Sequence, residues 1–468
     1  MDKKFSMKNI LKDVKNIYLV GIGGIGMSAL ALLLKDKGFN VRGSDVFESY
    51  ITDMLRKNGI MVDIGHKIED IGEDTQLIIY SSAIKEDNPQ IRFAKEKNIN
   101  ILKRGELLGL LCEGNNTIAI SGSHGKTTTT SLFTYVLKSL GLNVTAFIGG
   151  LPLNYSKNAW LGDSYFVVET DESDGSFLFI KSWVSVITNI DYEHLDYYKD
   201  IKRLKESFLE FASNTRYKVF GCGDDLNTKE IIKLVDGISY GFGKENKIRA
   251  DNFHFDGRFS CFDLIIEDKF INNIKIPLLG KHNVLNTLSV LGFLFYTEKD
   301  LDRAIYCLKD FKGTKRRCQI KEKINSITFI DDYAHHPTEI HNTLEALRLL
   351  SLNNRLFVIF QPHRFSRVKA LYKEFGKCFS CADELVITDI YPASEEPIKD
   401  IDVNLLLEEI KKNFLKPMHY VSKEKLKKII PELIKEGDFV VGLGAGDINI
   451  LMDEVIDEFK KVGFKKGS

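Results

Sequence analysis

Neither sign of charge prevails in this chain, where 65 Lys and Arg offset 65 Asp and Glu. Without a net field there is no long-range means of gathering nucleic acid or an anionic membrane, so an acidic ligand must be caught by local basic groups. No apolar run reaches about 18 residues, which argues against a membrane-spanning helix. The opening MDKKFSMKNILKDVKN has no apolar core of signal-peptide length, and none is expected. Seven cysteines, an odd number, suit reduced thiols in a cytoplasm better than a disulfide framework. Cys378 and Cys381 form a CxxC, but a zinc site needs two further ligands at matching spacing and none lies nearby. That pair reads as the end of an amphipathic helix. Short-period repeats are lacking too, which excludes a solenoid.

What is present is an ordinary globular composition, 44% hydrophobic and 28% charged, in 468 residues. That length is too great for one core, and about three domains is the expectation. Short apolar strands alternate with amphipathic helices, the signature of α/β units with parallel sheets. Strands are expected near Ile17–Val20, Val41–Ser44, Leu77–Tyr80 and Asn100–Leu102, then at Thr117–Ser121 and in NVTAFIG, SYFVVE and WVSVITNI. After the basic, glycine-containing run FKGTKRRCQI, further strands are expected in SITFI, RLFVIF, ELVITDI and DFVVGLG. Domain boundaries are expected at 1–105, 106–315 and 316–468. In open parallel sheets, chemistry gathers beyond the carboxyl ends of the strands, where most of the polar clusters of this chain fall.

Two glycine-rich loops stand out. Gly21, Gly23 and Gly26, with Gly24 and Ile25 between them, satisfy G-x-G-x-x-G directly after a strand and before a helix. Such glycines let the backbone approach a diphosphate, and the helix N-terminus supplies partial positive charge. Asp45 ends the next strand, 19 residues beyond Gly26, where a ribose contact is expected of an NAD site. A UDP-sugar also presents a diphosphate between two sugar-like groups, so this loop alone leaves NAD and a UDP-sugar both open.

The second loop, Gly122-Ser123-His124-Gly125-Lys126-Thr127-Thr128, is a shortened phosphate cradle between a strand and a helix. Its amides face phosphate oxygens, Lys126 reaches the terminal phosphates, and the Thr127 hydroxyl is a Mg²⁺ ligand. Two acidic clusters follow later strands: Glu169, Asp171, Glu172 and Asp174, then Asp191, Glu193, His194 and Asp196. Downstream of a phosphate loop they read as ligands for the cation that phosphoryl transfer needs.

The ordered motifs VGIGGIGMSAL, GSHGKTTTT, ETDESDGSF, GKHNVLN, DDYAHHPTE, FQPHRFSR, TDIYPASEEP and GAGDI resemble the Mur ligase family over nearly the whole chain, nearest its alanine-adding branch. The resemblance implies an N-terminal Rossmann-like domain for the UDP-sugar, a central P-loop ATPase with a mostly parallel sheet, and a C-terminal Rossmann-like domain for the amino acid. It assigns one glycine loop to a sugar nucleotide and the other to ATP. Carried onto this sequence, it puts UDP contacts at Gly21–Gly26, Asp45, His66 and the Ser81–Ser82–Ala83 turn. It places Glu169 and His194 on Mg²⁺ with Thr127, and His282, Asn283 and Asn286 on the adenine side. Arg317 would hold phosphate and Asp332 ribose. His335, His336, Arg364 and Arg367 would meet the amino acid, a role that arginine's bidentate fork suits. Relatives carry a carbamylated lysine about 15 residues after the metal histidine; Phe208 or Leu209 stands there, as in the alanine-adding branch.

The implied reaction joins L-alanine to the lactyl carboxylate of UDP-N-acetylmuramate through an acyl phosphate, with Lys126, Glu169 and His194 as the catalytic set. A monomer or weak homodimer in the cytoplasm is expected. Three rivals are a recycling ligase that adds a ready-made tripeptide, an NAD-dependent oxidoreductase and a non-catalytic nucleotide-binding regulator. The second leaves the phosphate loop and the acidic clusters unexplained.

Overall fold

The computed structural model describes residues 10–193, 195–393 and 395–463. It holds three α/β sheets, one for each of the expected regions. The first is all parallel, in the order Met61–Ile64, Asn40–Asp45, Asn16–Val20, Leu77–Tyr80, Asn100–Lys103. The chain steps outward from Asn16–Val20 on one side and then returns to its other side, so the topological switch point lies between Asn16–Val20 and Leu77–Tyr80. The glycine loop leaves the first of these strands, and the Ser81 turn leaves the second. Met61–Ile64 is a strand that apolar runs do not reveal, because Met61 and Ile64 are exposed and only Val62 is buried.

The second sheet has ten strands, with Thr117–Ser121 between Val184–Ile187 and Phe166–Glu169 and parallel to both. Both flanking strands end in the acidic clusters, which brings these to either side of the phosphate loop. Three strands at one edge, Ile248–Phe255, Ser260–Ile266 and Lys269–Ile276, lie beyond the sequence expectation. They interleave charged and amide residues, as in IRADNFHF and KFINNIKI, and so escape a search for apolar runs. The third sheet runs Gln319–Ile324, Ile327–Asp332, Phe439–Leu443, Leu356–Phe360, Glu384–Ile387, Met418–Tyr420, with Gln319–Ile324 antiparallel at one edge.

Two compact units contain these sheets. The first runs to Asn252 and takes in Phe262–Lys275 and Val284–Lys312; the second takes Phe253–Cys261, Ile276–Asn283 and the chain from Gly313. In the first unit one hydrophobic cluster joins Leu19 and Leu30 to Phe147, Val168 and Phe208. Its two sheets therefore share a core. Phe208, one of the two residues expected near the position of the carbamylated lysine, is fully buried against Phe177, with ring centroids 5.1 Å apart. The second unit packs both faces of its central strands, Leu356, Val358 and Phe360 on one side and Phe357 and Ile359 on the other.

The CxxC differs from expectation. The helix Phe365–Phe375 stops before it, and both cysteines lie in the turn that follows, with Cys378 in the core. All seven cysteines are free, and among the described residues no helix is long and apolar enough to cross a membrane.

Candidate active site

The phosphate loop needs two left-handed glycines. Gly122 has φ +132° and Gly125 φ +85°, a region that costs any other residue strain. Space is tight as well. A Cβ on Gly122 would stand 2.1 Å from Thr188 Oγ1, and one on Gly125 would stand 2.7 Å from Asn286 Oδ1. The loop is braced by the end of the neighbouring strand. Ser123 N–H donates to Asn189 O (2.9 Å), His124 N–H to Asn189 Oδ1 (2.9 Å), and the Thr188 hydroxyl to His124 O (2.6 Å). His124 Nε2 meets Asp191 Oδ2 at 2.9 Å, and Asp191 N–H donates to Ser123 Oγ. Sequence reading marks His124 and Asp191 but passes over Thr188 and Asn189, whose role appears only once the two strands are adjacent.

Lys126 opens the helix Lys126–Ser139 and folds back over its own loop, donating to Gly122 O, to Ser123 O (3.0 Å) and to Glu172 Oε1 (2.8 Å). Burial by itself would lower its pKa; Glu172, Asp171 and Glu169 outweigh that and raise it, so the ammonium stays charged. Thr127 Oγ1 donates to Glu169 Oε1 at 2.7 Å, and Gly149 N–H donates to Glu169 Oε2 at 2.6 Å. A Cβ on Gly149 would stand 2.4 Å from Glu169 Oε1. A side chain at 149 would push this carboxylate aside, so the glycine leaves Glu169 beside Thr127, a role that sequence reading does not flag. Two hard oxygens, Thr127 Oγ1 and Glu169 Oε1, side by side at the foot of the lysine are a fitting start for a Mg²⁺ shell. Thr128 is buried in the same first turn. His194, the other expected metal ligand, lies outside the described residues.

In the first loop Gly21 has φ +78°, and its Cβ position would be 3.3 Å from Ser81 Cβ, so the loop and the Ser81 turn touch across the switch point. Ala83 N–H donates to Ser81 Oγ at 3.3 Å, and Ser82 and Ala83 are exposed. Asp45 turns back on the loop: Oδ2 accepts from Gly23 N–H and Oδ1 from Val46 N–H, each at 2.8 Å. Ile25 starts a helix to Asp36 that has Gly24 as an N-cap without a side-chain bond and no acidic residue in its first turn. His66 Nδ1 sits 3.1 Å from Ser44 Oγ, while its buried Nε2 has no partner.

Arg104, unremarked in the sequence, is buried between the first loop and the acidic turn, and pairs with Asp171 (3.3 Å) and Asp174 (3.7 Å).

The remaining expected residues divide between the units. Asn286 lies in the first, against Gly125. His282 and Asn283 lie in the second. Burial, then Arg317, pushes the His282 pKa down to about 4, so the ring is neutral near pH 7. Asp332 is buried and accepts from the N–H groups of Cys318 (2.6 Å) and Ala334 (2.8 Å), which organise the strand end. Arg317 lies 3.7 Å from Glu339. His336 caps the helix Pro337–Ser351 through Thr338 N–H (3.3 Å) and is itself buried. His335 faces His363 with ring centroids 5.7 Å apart, and His363 stacks on Tyr391 at 5.6 Å. Arg367 Nη1 meets His363 Nδ1 at 3.0 Å, and Arg364 N–H donates to Tyr391 O. Burial, with His335, Arg367 and Arg364 nearby, pushes the His363 pKa down to about 2. Sequence reading names the two arginines and misses His363 between them.

Comparison with known proteins agrees with this geometry. Three family models match in order: Mur ligase family, catalytic domain, over residues 16–115; Mur ligase middle domain over 120–294; and Mur ligase, glutamate ligase domain, over 316–446. The UDP-N-acetylmuramate–L-alanine ligase of Lawsonia intracellularis is 39% identical over 94% of this chain and 98% of its own. The protein of the same name from Aquifex aeolicus is 38% identical over 95% and 98%. A crystal structure of UDP-N-acetylmuramate–alanine ligase from Thermotoga maritima superimposes with a TM-score of 0.84 at 30% identity, covering 96% of this chain and 99% of that one. A murein peptide ligase from Psychrobacter arcticus shares the fold, with a TM-score of 0.72 at 21% identity. The chain belongs to the Mur ligase family.

Proposed function

We infer that the chain is an ATP-dependent ligase that joins L-alanine to UDP-N-acetylmuramate in peptidoglycan precursor synthesis. The observation that carries this reading is the full-length likeness to alanine-adding members of the family, where murein peptide ligases share only the fold. An amide does not form from a carboxylate and an amine in water without activation, and a phosphate loop beside a glycine loop for a sugar nucleotide supplies the means.

In our reading the lactyl carboxylate attacks the γ-phosphorus of ATP, giving an acyl phosphate and ADP. The neutral amine of L-alanine then attacks the acyl carbon, loses a proton and expels phosphate. Lys126 exchanges Glu172 and the loop carbonyls for the terminal phosphate oxygens, meeting charge where it accumulates. Thr127 and Glu169 would hold Mg²⁺, with His194 as a further ligand. When bound, that ion neutralises the phosphate oxygens during transfer. Asn286 borders the loop at Gly125, and we place His282, Asn283, Arg317 and Asp332 on the nucleotide. Gly21–Gly26, Asp45, His66 and the Ser81–Ala83 turn are assigned to the UDP moiety; the unpartnered His66 Nε2 supports this. His335, His336, Arg364 and Arg367 are assigned to the amino acid, where neutral His363 orients Arg367. Seven free cysteines support a reducing compartment, and we place the reaction in the cytoplasm.

Phosphate release from Mg·ATP, with UDP-N-acetylmuramate present and amines added singly, tests the reading. Release that needs both the sugar nucleotide and L-alanine is expected. Turnover with a tripeptide alone would overturn the assignment of the third domain.

A further inference from the structure

Between the first glycine loop and the acidic turn lies a buried arginine that neither glycine loop's assigned chemistry uses. Arg104 begins the helix Arg104–Cys112, and its side chain is 10% exposed. Every contact that fixes it uses one end of the guanidinium. Nη2 lies 3.3 Å from Asp171 Oδ2, 3.7 Å from Asp174 Oδ2 and 3.4 Å from Ser176 Oγ. The other end lies toward the first loop: a Cβ on Gly26 would stand 3.4 Å from Nη1. Gly105 is pressed so close to the same acidic turn that its Cβ would meet Ser176 Cβ at 2.4 Å. Arg104 therefore has one arm on the turn Asp171–Ser176 and one arm beside the start of the helix that receives the sugar nucleotide.

The acidic turn also governs the phosphate loop. Glu172, next to Asp171, is buried and holds Lys126 at 2.8 Å, and the Tyr198 hydroxyl donates to Glu172 O at 2.5 Å. The connection is short: Gly26, Arg104, Asp171, Glu172, Lys126. All five belong to the first unit.

We propose that Arg104 is a positioning residue that couples the two nucleotide loops, so that an anionic sugar nucleotide at the first loop strengthens ATP binding at the second. The proposal rests on the assignment of the first loop to the sugar nucleotide. An anion at the N-terminus of the helix Ile25–Asp36 would engage Nη1 and draw the guanidinium toward the first loop, away from Asp171 and Asp174. As Asp171 loses its partner, the turn relaxes its hold on Glu172, and Lys126 is released to the incoming phosphates. In the absence of the sugar nucleotide the lysine stays latched, which limits ATP hydrolysis without an acceptor. Two sites linked in this way must influence one another reciprocally.

The test is the Kd of a non-hydrolysable ATP analogue with Mg²⁺, measured by titration calorimetry on the full chain with and without saturating UDP-N-acetylmuramate. In the wild type the sugar nucleotide should tighten analogue binding about fivefold or more, the lower end of ordinary coupling. Arg104→Gln should bring that ratio close to one and Arg104→Lys should leave part of it. Asp171→Asn should also bring it close to one while keeping wild-type affinity for the sugar nucleotide alone. A merely structural Arg104 would weaken both affinities and leave the ratio unchanged, which would overturn the proposal. So would a wild-type ratio of one in a protein that binds the sugar nucleotide. Failure of the wild type to bind UDP-N-acetylmuramate at all would instead overturn the assignment of the first loop.

Discussion

In the first glycine loop an acidic residue occupies one of the loop's own amides, since Asp45 accepts from Gly23 N–H, and no lysine stands in the turn. In the second the loop carries its own cation, and Lys126 spans two loop carbonyls and Glu172. The first helix offers uncapped amides and no side-chain charge; the second adds an ammonium and a pair of hard oxygens from Thr127 and Glu169. The difference suits the tasks proposed for the two loops. A sugar nucleotide has only to be held, and dipoles suffice for that. A phosphoryl group in flight needs charge that is positioned beforehand.

The comparison breaks most sharply at Lys126. Lys126→Ala should lower the rate of phosphate release at least about 10³-fold, roughly 4 kcal/mol of transition-state stabilisation. UDP-N-acetylmuramate binding by calorimetry should stay within about twofold of wild type. Loss of sugar-nucleotide binding altogether would show that the first loop depends on Lys126 beyond the coupling proposed through Arg104.

Alanine replacements at paired glycines sharpen it further. Gly125→Ala forces a Cβ to 2.7 Å from Asn286 at φ +85°, which should cost about 1–3 kcal/mol in urea unfolding and raise KM for ATP. Gly24→Ala, with φ −65° and nothing closer than 3.4 Å, should change stability by less than about 0.5 kcal/mol. Gly23→Ala should be intermediate. Its Cβ would stand 2.8 Å from Asp45 Oδ2, so sugar-nucleotide affinity should fall about tenfold, near 1.4 kcal/mol, with KM for ATP unaltered.

A last effect concerns pH and the second unit. An unfolded histidine titrates near pH 6.5, whereas His282 in the fold is held at about 4. Between these values the unfolded chain binds a proton that the folded ring refuses. The stabilisation is therefore full above about pH 6.5 and is lost as the pH falls toward 4. Urea midpoints of the wild type should decline over that interval, and His282→Asn should flatten the decline.

Much of this was legible in the sequence. TIAIS, FVVE and VSVI are mostly apolar because they are buried on both faces, and the loops behind them carry glycine, lysine and carboxylates at telling spacings. Lys126, Thr127 and Glu169 come together as their positions at strand ends imply. What escaped owes its role to a neighbour far along the chain. Gly149 matters because Glu169 lies across the sheet, Asn189 because His124 does, and His363 because Arg367 and Tyr391 close around it. Arg104 looks like a connector residue until Asp171, 67 positions later, is placed beside it. Asp332 has a structural part that its motif does not reveal: its two oxygens accept from the N–H groups of Cys318 and Ala334 and so order the strand end.

The hydrogen bond from Gly149 to Glu169 has a consequence for ion choice. Oε2 accepts from a peptide N–H, so Oε1, beside Thr127 Oγ1, is the oxygen we assign to the cation. Calcium favours six to eight oxygens and readily takes carboxylates two-toothed, whereas magnesium is content with single oxygens in an octahedron. The Mg²⁺ site we propose is thus shaped by the main chain just beyond the strand Thr145–Phe147, where exchange of the acidic side chain cannot easily revise it.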